Sequence, residues 1–138
     1  MTGSLHSRQE ALVAELQRLR DPQSRFAWVV ERSRQCPLLP DPLRLDIHRV
    51  EGCQVRIWFV PEFRDQRCWF RSDSDAITLR AMTGLLCELA NGCPPSELLD
   101  WTPEFLDRLG LLRQLAENRR ATVLRVAEKI RAFARERL

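Results

Sequence analysis

Hydrophobic positions along the chain change from helical spacing to strand spacing and back again. Before residue 35 they recur three or four residues apart, which predicts two helices separated by Asp21-Pro22. The next segment, CPLLPDP (36–42), contains three prolines, which lack a backbone donor and fix φ. This segment is therefore predicted to be a loop.

From Leu43 to Ser74 apolar and polar residues alternate, as they do in half-buried strands. Three segments carry this pattern: RLDIHRVEG, QVRIWFVPEF and RCWFRSD. The polar turn RDQ joins the last two and predicts a hairpin. The expected result is a small antiparallel sheet of about three strands, with one face available to helices.

A second helical region follows the predicted strands. Residues 74–92 predict a helix with Asp73 or Ser74 as its cap and Asn91-Gly92 as its stop. Two short helices follow, and the apolar stripe of the last helix runs from about residue 117 to residue 135. The order of helices, small sheet and helices predicts an α+β fold.

Length and composition narrow the class of protein. At 138 residues, 44% hydrophobic and 30% charged, the chain suits one soluble globular domain, residues 1–138, with about the first ten residues flexible. A net charge of +3 with interspersed acids and bases does not indicate nucleic-acid binding. No apolar run reaches the roughly 20 residues of a spanning helix, and no signal-peptide pattern is present. We therefore expect a cytoplasmic protein without nucleic-acid or membrane partners.

Five cysteines, odd in number and widely spaced, stand at positions 36, 53, 68, 87 and 93. An odd number excludes a complete intramolecular disulfide framework, and no close pair has the spacing of zinc ligands. We therefore expect reduced thiols and no metal. Cys53 differs from the others because it follows Gly52 between two predicted strands, which places a thiol at a turn or sheet edge. A free cysteine is more often a small buried hydrophobe, and that interpretation fits the other four better.

Other catalytic arrangements lack a component. Lys129, the only lysine, lies in the last predicted helix, so a pyridoxal-phosphate enzyme is not expected. His48 is the nearest candidate base for Cys53, but a histidine on a surface strand is the simpler interpretation. Arg119 is unusual, because it lies four residues before Val123 on the apolar stripe and in a first turn, where the helix dipole disfavours a cation. Either Arg119 has a function, or its side chain simply reaches solvent or pairs with an acidic neighbour.

Taken together, several segments resemble the SufE/CsdE family of sulfur-acceptor proteins that serve cysteine desulfurases. The resemblance is carried by VEGC followed by IW (residues 50–58), by PLLPDPLR before it, and by SDSDA and LLCELANGCPPSELL after it. The segment LDRLGLLRQLAENR, which ends at Arg119, matches as well. These segments cover the chain from about Leu16 in the same order and at similar spacing, which is more specific than any single motif.

The resemblance implies a SufE/IscU-like α+β fold and a carrier role for Cys53. In this role Cys53 accepts sulfur from the persulfide of a cysteine desulfurase, enhances its activity and passes the sulfur to an iron–sulfur scaffold. The chain itself needs no cofactor, because the pyridoxal phosphate belongs to the desulfurase. The resemblance also implies contacts with the partner and is compatible with a homodimer; the residues expected at that contact are Gly52, Trp58, Asp73 and Arg119.

Two positions depart from the family pattern. The usual motif E-G-C-x-S-x-V-W has a serine where this chain has Val55, so a hydroxyl near the thiol is missing. The usual L-S-P-S/T-R-x-N-G reads LAENRRAT here, residues 115–122. Two alternatives to an acceptor therefore stay open: a desulfurase regulator in which Cys53 is inert, and an independent thiol oxidoreductase or hydrolase that uses Cys53.

Sulfur transfer to Cys53 requires a thiolate, because the thiolate and not the thiol attacks the persulfide. A free thiol is only a few per cent ionised at neutral pH, so a nearby cation would help. The sequence offers three candidates for this cation, Arg49, Arg56 and Arg119.

Overall fold

The fold places a two-stranded hairpin among helices. The computed structural model describes residues 3–138, and within them the elements are α1 (Leu5–Leu16), α2 (Pro22–Arg34), β1 (Ile57–Arg64), β2 (Arg67–Ser74), α3 (Ile77–Ala90), α4 (Pro95–Leu98), α5 (Phe105–Arg108) and α6 (Glu117–Arg135). Single 3-10 turns occur at Asp41–Leu43, Asp46–His48 and Leu111–Gln114. The predicted α+β class is confirmed.

Helix α1 begins within the segment for which flexibility was expected. Ser4 caps this helix, because its side chain accepts a hydrogen bond from the backbone N–H of Ser7. Leu5 and Gln9 are buried, so this helix is packed against the rest of the protein from its first residue. The expected flexibility of the first two residues lies outside the described residues.

Strands β1 and β2 form the predicted antiparallel hairpin, with Ile57 opposite Ser74 and Arg64 opposite Arg67. The connecting residues Asp65 and Gln66 have φ values of 54° and 61°. Two successive positive φ values are typical of the tight turns that match the right-handed twist of a hairpin. The strands are therefore held in one register, which fixes where the segment before β1 can join them.

The expectation of about three strands is wrong for the described chain, where the sheet has two. The segment RLDIHRVEG forms the 3-10 turn Asp46–His48 instead, in which His48 and Arg49 donate their backbone N–H groups to Leu45 and Asp46. These donors are used within the turn and are not available to a neighbouring strand. Pairing with β1 is consequently reduced to a single bridge between Arg49 and Trp58.

Helix α3 packs against β2 and is buried along most of its length. It begins at Ile77, and its cap residue is Ala76 rather than the predicted Asp73 or Ser74. Ser74 still contributes, because its hydroxyl accepts a hydrogen bond from Ala76 N at 3.2 Å. The Asp73 carboxylate is used elsewhere, on the loop before β1.

Helix α6 has the predicted bounds and carries one buried stripe, formed by Thr122, Val123, Val126, Ala127, Ile130 and Ala134. It packs against α3, α4 and β1. One edge of this stripe lies beside the loop that carries Cys53.

Candidate functional site

Cys53 lies in a short loop, residues 51–56, which runs from Val50 to the start of β1 at Ile57. The base of the loop is closed by a hydrogen bond of 2.9 Å from Val50 N to Ile57 O. Gly52 has a φ of +80°, a conformation that residues with side chains rarely adopt. The structure thus has the thiol at a turn beside the sheet, where the sequence placed it.

Two side chains of α6 contact the sulfur of Cys53. Arg125 Nη1 lies 3.1 Å from Sγ, and Thr122 Oγ1 lies 3.4 Å from it. The same Nη1 also donates to the carbonyl oxygen of Glu51 at 3.0 Å, so Arg125 holds both the loop backbone and the thiol. A Cβ at Gly52 would come within 3.2 Å of this nitrogen, so the close approach of Arg125 is a second reason for a glycine at this position.

The arrangement places two polar donors on the sulfur. A guanidinium at 3.1 Å attracts a thiolate more strongly than a thiol. The single hydroxyl hydrogen of Thr122 can point either to Cys53 Sγ or to the carbonyl oxygen of Asn118, 3.1 Å away. When the sulfur is a thiol, S–H can donate to Thr122; when it is a thiolate, the hydroxyl can turn and donate to sulfur.

The remaining cysteines differ from Cys53 in burial and in charge environment. Cys68, Cys87 and Cys93 are buried, and burial raises the pKa of Cys87 and of Cys93 to about 12. Burial also raises the pKa of Cys68. These three thiols stay protonated at neutral pH, whereas Cys36 is exposed and Cys53 is partly buried. Among the described cysteines, Cys53 therefore combines partial access with a cationic donor on its sulfur.

Of the three arginines proposed from the sequence as activating cations, two have other side-chain partners, and the third, Arg49, has no described contact with the sulfur. Arg56 Nε pairs with Asp75 Oδ2 at 2.6 Å, and Arg119 Nη1 donates to Thr78 Oγ1 at 2.9 Å. Arg49 forms the backbone bridge to Trp58 described above. The sulfur is contacted instead by Arg125, which the sequence analysis did not single out.

Asp73, expected at the partner contact, is buried and anchors the loop before β1. Its Oδ2 accepts hydrogen bonds from Leu39 N at 2.9 Å and from Arg44 Nη2 at 2.5 Å. Its Oδ1 accepts from Ser74 N at 2.8 Å. In this conformation Asp73 positions the chain beneath the surface, and a direct contact with a partner stays a prediction.

Trp58, also expected at the partner contact, is buried beneath two arginines. The guanidinium carbons of Arg44 and Arg56 lie 5.0 Å and 5.2 Å from the centroid of its ring. Such cation–π contacts restrict the positions of both arginines. Trp58 therefore helps to position Arg56, the last residue of the Cys53 loop, and its own contact with a partner stays a prediction.

An exposed apolar residue lies on the same side of the molecule as the thiol. Ile47, on the 3-10 turn before the loop, is 83% exposed. It shares a shallow depression with Arg49, Glu51, Arg125 and Lys129. Arg125 is thus common to this depression and to the contacts of Cys53.

Residues 3–138 contain neither a metal-binding cluster nor a helix suited to span a membrane. No group of three or more His, Cys, Asp or Glu side chains is placed to hold a metal ion. Over the same residues, no helix combines the length and apolar character that crossing a membrane requires.

Comparison with known proteins identifies the family of the chain. A family model described as SufE, Fe-S metabolism associated domain, matches residues 10–134. The sulfur acceptor protein CsdE of Escherichia coli K12 is 26% identical over 116 residues, which cover 83% of this chain and 79% of that protein. The cysteine desulfuration protein SufE of Plasmodium vivax is 26% identical over 119 residues, or 83% of this chain, and the chain spans about half (47%) of its length.

A solved structure shares the fold. The solution structure of a hypothetical protein from Thermus thermophilus superposes with a TM-score of 0.70 and covers 96% of this chain and 93% of that one. The two sequences are 20% identical, so this similarity shows the fold alone.

Proposed function

Because the chain belongs to the SufE family, we propose that it is a sulfur acceptor that serves a cysteine desulfurase and uses Cys53 as the acceptor thiol. The names of the Escherichia coli and Plasmodium vivax relatives support a role of this kind. The observation that carries the proposal is the position of Cys53, at a glycine turn with Arg125 Nη1 3.1 Å from its sulfur. Such a thiol is partly accessible and has a cationic hydrogen-bond donor on its sulfur.

The proposed reaction is a thiolate exchange that needs no added oxidant or reductant. The Cys53 thiolate attacks the outer sulfur of a persulfide on the donor protein, and a new S–S bond forms at Cys53. The bond between that outer sulfur and the donor cysteine breaks, and the donor cysteine leaves as a thiolate with the bonding electron pair. The proton of the Cys53 thiol is lost before the attack, while Arg125 and Thr122 are placed to stabilise the resulting charge.

The chemistry that releases sulfur from free cysteine would be supplied by the partner. Pyridoxal phosphate reacts with amino acids through a lysine, and Lys129 lies exposed on α6. We therefore assign the pyridoxal phosphate to the desulfurase. In the same scheme the chain raises the desulfurase turnover by accepting its sulfur, and a scaffold for iron–sulfur clusters receives the sulfur from Cys53.

The depression beside Cys53 suits a protein donor. Ile47 offers an exposed apolar side chain, and Arg49 and Lys129 have no ion pair among the described residues. A donor with an apolar pocket and carboxylates around its active-site entrance would complement this surface. Ile47→Asp should therefore raise the protein concentration needed to saturate the donor, while the rate at saturation stays the same.

The hydroxyl missing at Val55 does not exclude acceptor chemistry. Thr122 brings a hydroxyl within 3.4 Å of the sulfur from α6. It stands at the position of the glycine in the family pattern R-x-N-G. A hydroxyl from the helix is thus available where the family motif has a serine in the loop, which favours an acceptor over an inert regulator.

The proposal is tested by peptide mass mapping after incubation with a cysteine desulfurase and cysteine, without reductant. Wild type, Cys53→Ser and Cys36→Ser are compared, since Cys36 is the other exposed thiol. We expect added sulfur on the peptide that contains Cys53 in wild type and in Cys36→Ser. The regulator alternative predicts a rise in desulfurase turnover that survives Cys53→Ser. The oxidoreductase alternative predicts turnover of a disulfide without any desulfurase.

A further inference from the structure

A second surface feature is an open groove of about 460 Å³ between α2, β2, α3 and the loop 36–40. Along α3 and its C-cap residue the lining runs from Arg80 to Asn91, which is roughly 16 Å at 1.5 Å per residue. None of the described residues that line it belongs to the Cys53 loop or to α6. The groove is therefore built separately from the Cys53 site.

Gly84 keeps the floor of this groove open. It lies in the middle of α3, where glycine is less favourable than alanine. A Cβ at Gly84 would meet no atom within 4 Å, so close packing does not require a glycine here. The missing side chain leaves a free channel between α3 and the facing loop.

One end of the groove is cationic and lacks an acceptor. Arg80, one helical turn before Gly84, has a buried Nε without a hydrogen-bond partner among the described residues. A buried donor without an acceptor is unfavourable, and no described ion pair neutralises the guanidinium of Arg80 at this end of the groove. Arg71, also in the lining, has no ion pair within residues 3–138, whereas Arg32 and Glu88 neutralise each other.

The rest of the lining is largely apolar. Leu39, Phe70 and Leu85 contribute to it, and Leu38 next to the rim is 56% exposed. The groove is about half enclosed and is elongated along α3, a shape that an extended chain would fill. An extended chain advances about 3.3 Å per residue, so roughly five residues would span the groove.

We propose that this groove binds an extended acidic segment of a protein partner. Apolar side chains of that segment lie over Gly84 and Leu85, and one of its carboxylates accepts the hydrogen bonds of Arg80. The charge of the groove selects acidic over basic segments. Because no residue of the Cys53 loop takes part, the inference stands independently of the sulfur-acceptor function.

Three variants of the full chain provide the test. Gly84→Leu fills the channel, Gly84→Ala is the matched control that leaves it largely open, and Arg80→Gln removes the charge. A display library of random heptapeptides is selected on wild type and counter-selected on Gly84→Leu. Urea unfolding and the alkylation rate of Cys53 confirm that each variant is folded.

The expected peptides carry Asp or Glu beside apolar residues and bind Gly84→Leu at least tenfold more weakly than wild type. Gly84→Ala should bind them within about twofold of wild type, and Arg80→Gln should lose the preference for acidic peptides. The Nε–H resonance of Arg80 should shift in the ¹⁵N–¹H spectrum on binding.

Several outcomes overturn the proposal. One is the absence of any enrichment that depends on position 84, and another is enrichment of peptides without acidic residues. Competition by octanoate as effective as that of the selected peptides would identify a small-molecule site in place of a peptide site.

Discussion

Replacing Arg125 by methionine removes the positive charge beside the sulfur of Cys53 and keeps a long, flexible side chain. In the structure Arg125 Nη1 is 3.1 Å from Sγ and 3.0 Å from the Glu51 carbonyl oxygen. Arg125 is exposed, so the variant should not disturb the core. We expect the Cys53 thiolate to be less favoured and the thiol to react more slowly with an electrophile.

The size of this effect follows from the distance. Two unit charges 3.1 Å apart attract each other by about 1.3 kcal/mol in a medium with the dielectric constant of water, which suits an exposed arginine. That energy corresponds to roughly a tenfold change in an equilibrium constant. Arg125→Met should therefore lower the alkylation rate of Cys53 at neutral pH by up to about tenfold, and Arg125→Lys should lower it less.

The assay is the rate of iodoacetamide modification of Cys53, followed by mass spectrometry in a Cys36→Ser background. The buried thiols, which stay protonated, do not contribute. Arg120→Met is the matched control, because Arg120 is on the same helix and has no described hydrogen bond to Cys53. Raising the salt from about 0.1 M to 1 M should bring the wild-type alkylation rate closer to that of Arg125→Met, because the Debye length shortens from about 10 Å to 3 Å.

An equal or faster rate in Arg125→Met would refute this reasoning. The guanidinium would then act mainly as a cover over the sulfur, and its removal would increase access. Slowing by Arg120→Met to the same extent would point instead to a general change in surface charge.

Four further predictions concern the loop, the core and the groove. Asp73→Ala removes a buried carboxylate that holds three donors, and should lower the free energy of unfolding in urea by about 3 kcal/mol; a change below about 1 kcal/mol would contradict the anchoring role. Thr122→Val removes the hydroxyl next to Cys53 and should slow alkylation about two- to tenfold, whereas Thr122→Ser should not. Gly84→Ala should raise the free energy of unfolding by roughly 0.5–1 kcal/mol, and a loss of stability in urea would show that the position is closely packed. Burial raises the pKa of Cys87 from 9.0 to about 12, so as the pH rises the unfolded chain loses the thiol proton before the folded chain does. The free energy of unfolding should therefore fall between about pH 9 and pH 12, and urea titrations of Cys87→Ala should show a shallower fall.

The regular elements were predictable because they depend on local patterns. The bounds of α6, residues 117–135, follow from one apolar stripe, and the hairpin follows from two alternating segments around a polar turn. The thiol at a turn was also predictable, because Gly52 and Cys53 stand between such segments. In each case neighbouring residues contain the information.

The parts that could not be predicted depend on distant contacts. Arg125 meets a sulfur 72 positions earlier in the chain, and the sequence of α6 does not show that a loop lies against this edge. Arg119 attracted attention by its place in the stripe, yet its guanidinium reaches Thr78. The prediction of a third strand was wrong because the alternation in RLDIHRVEG does not show that its backbone donors are used within a 3-10 turn.

Both side-chain donors to the Cys53 sulfur belong to a rigid helix, whereas the sulfur belongs to a loop. A serine at position 55 would travel with the sulfur in any outward movement, but Thr122 and Arg125 would stay behind. Outward movement of the loop would therefore separate the sulfur from both donors, and the two contacts favour the closed position of the loop. Hydrogen exchange of residues 51–56 in wild type and in Arg125→Met would show this coupling, and it means that a partner must supply its own donors to the departing sulfur.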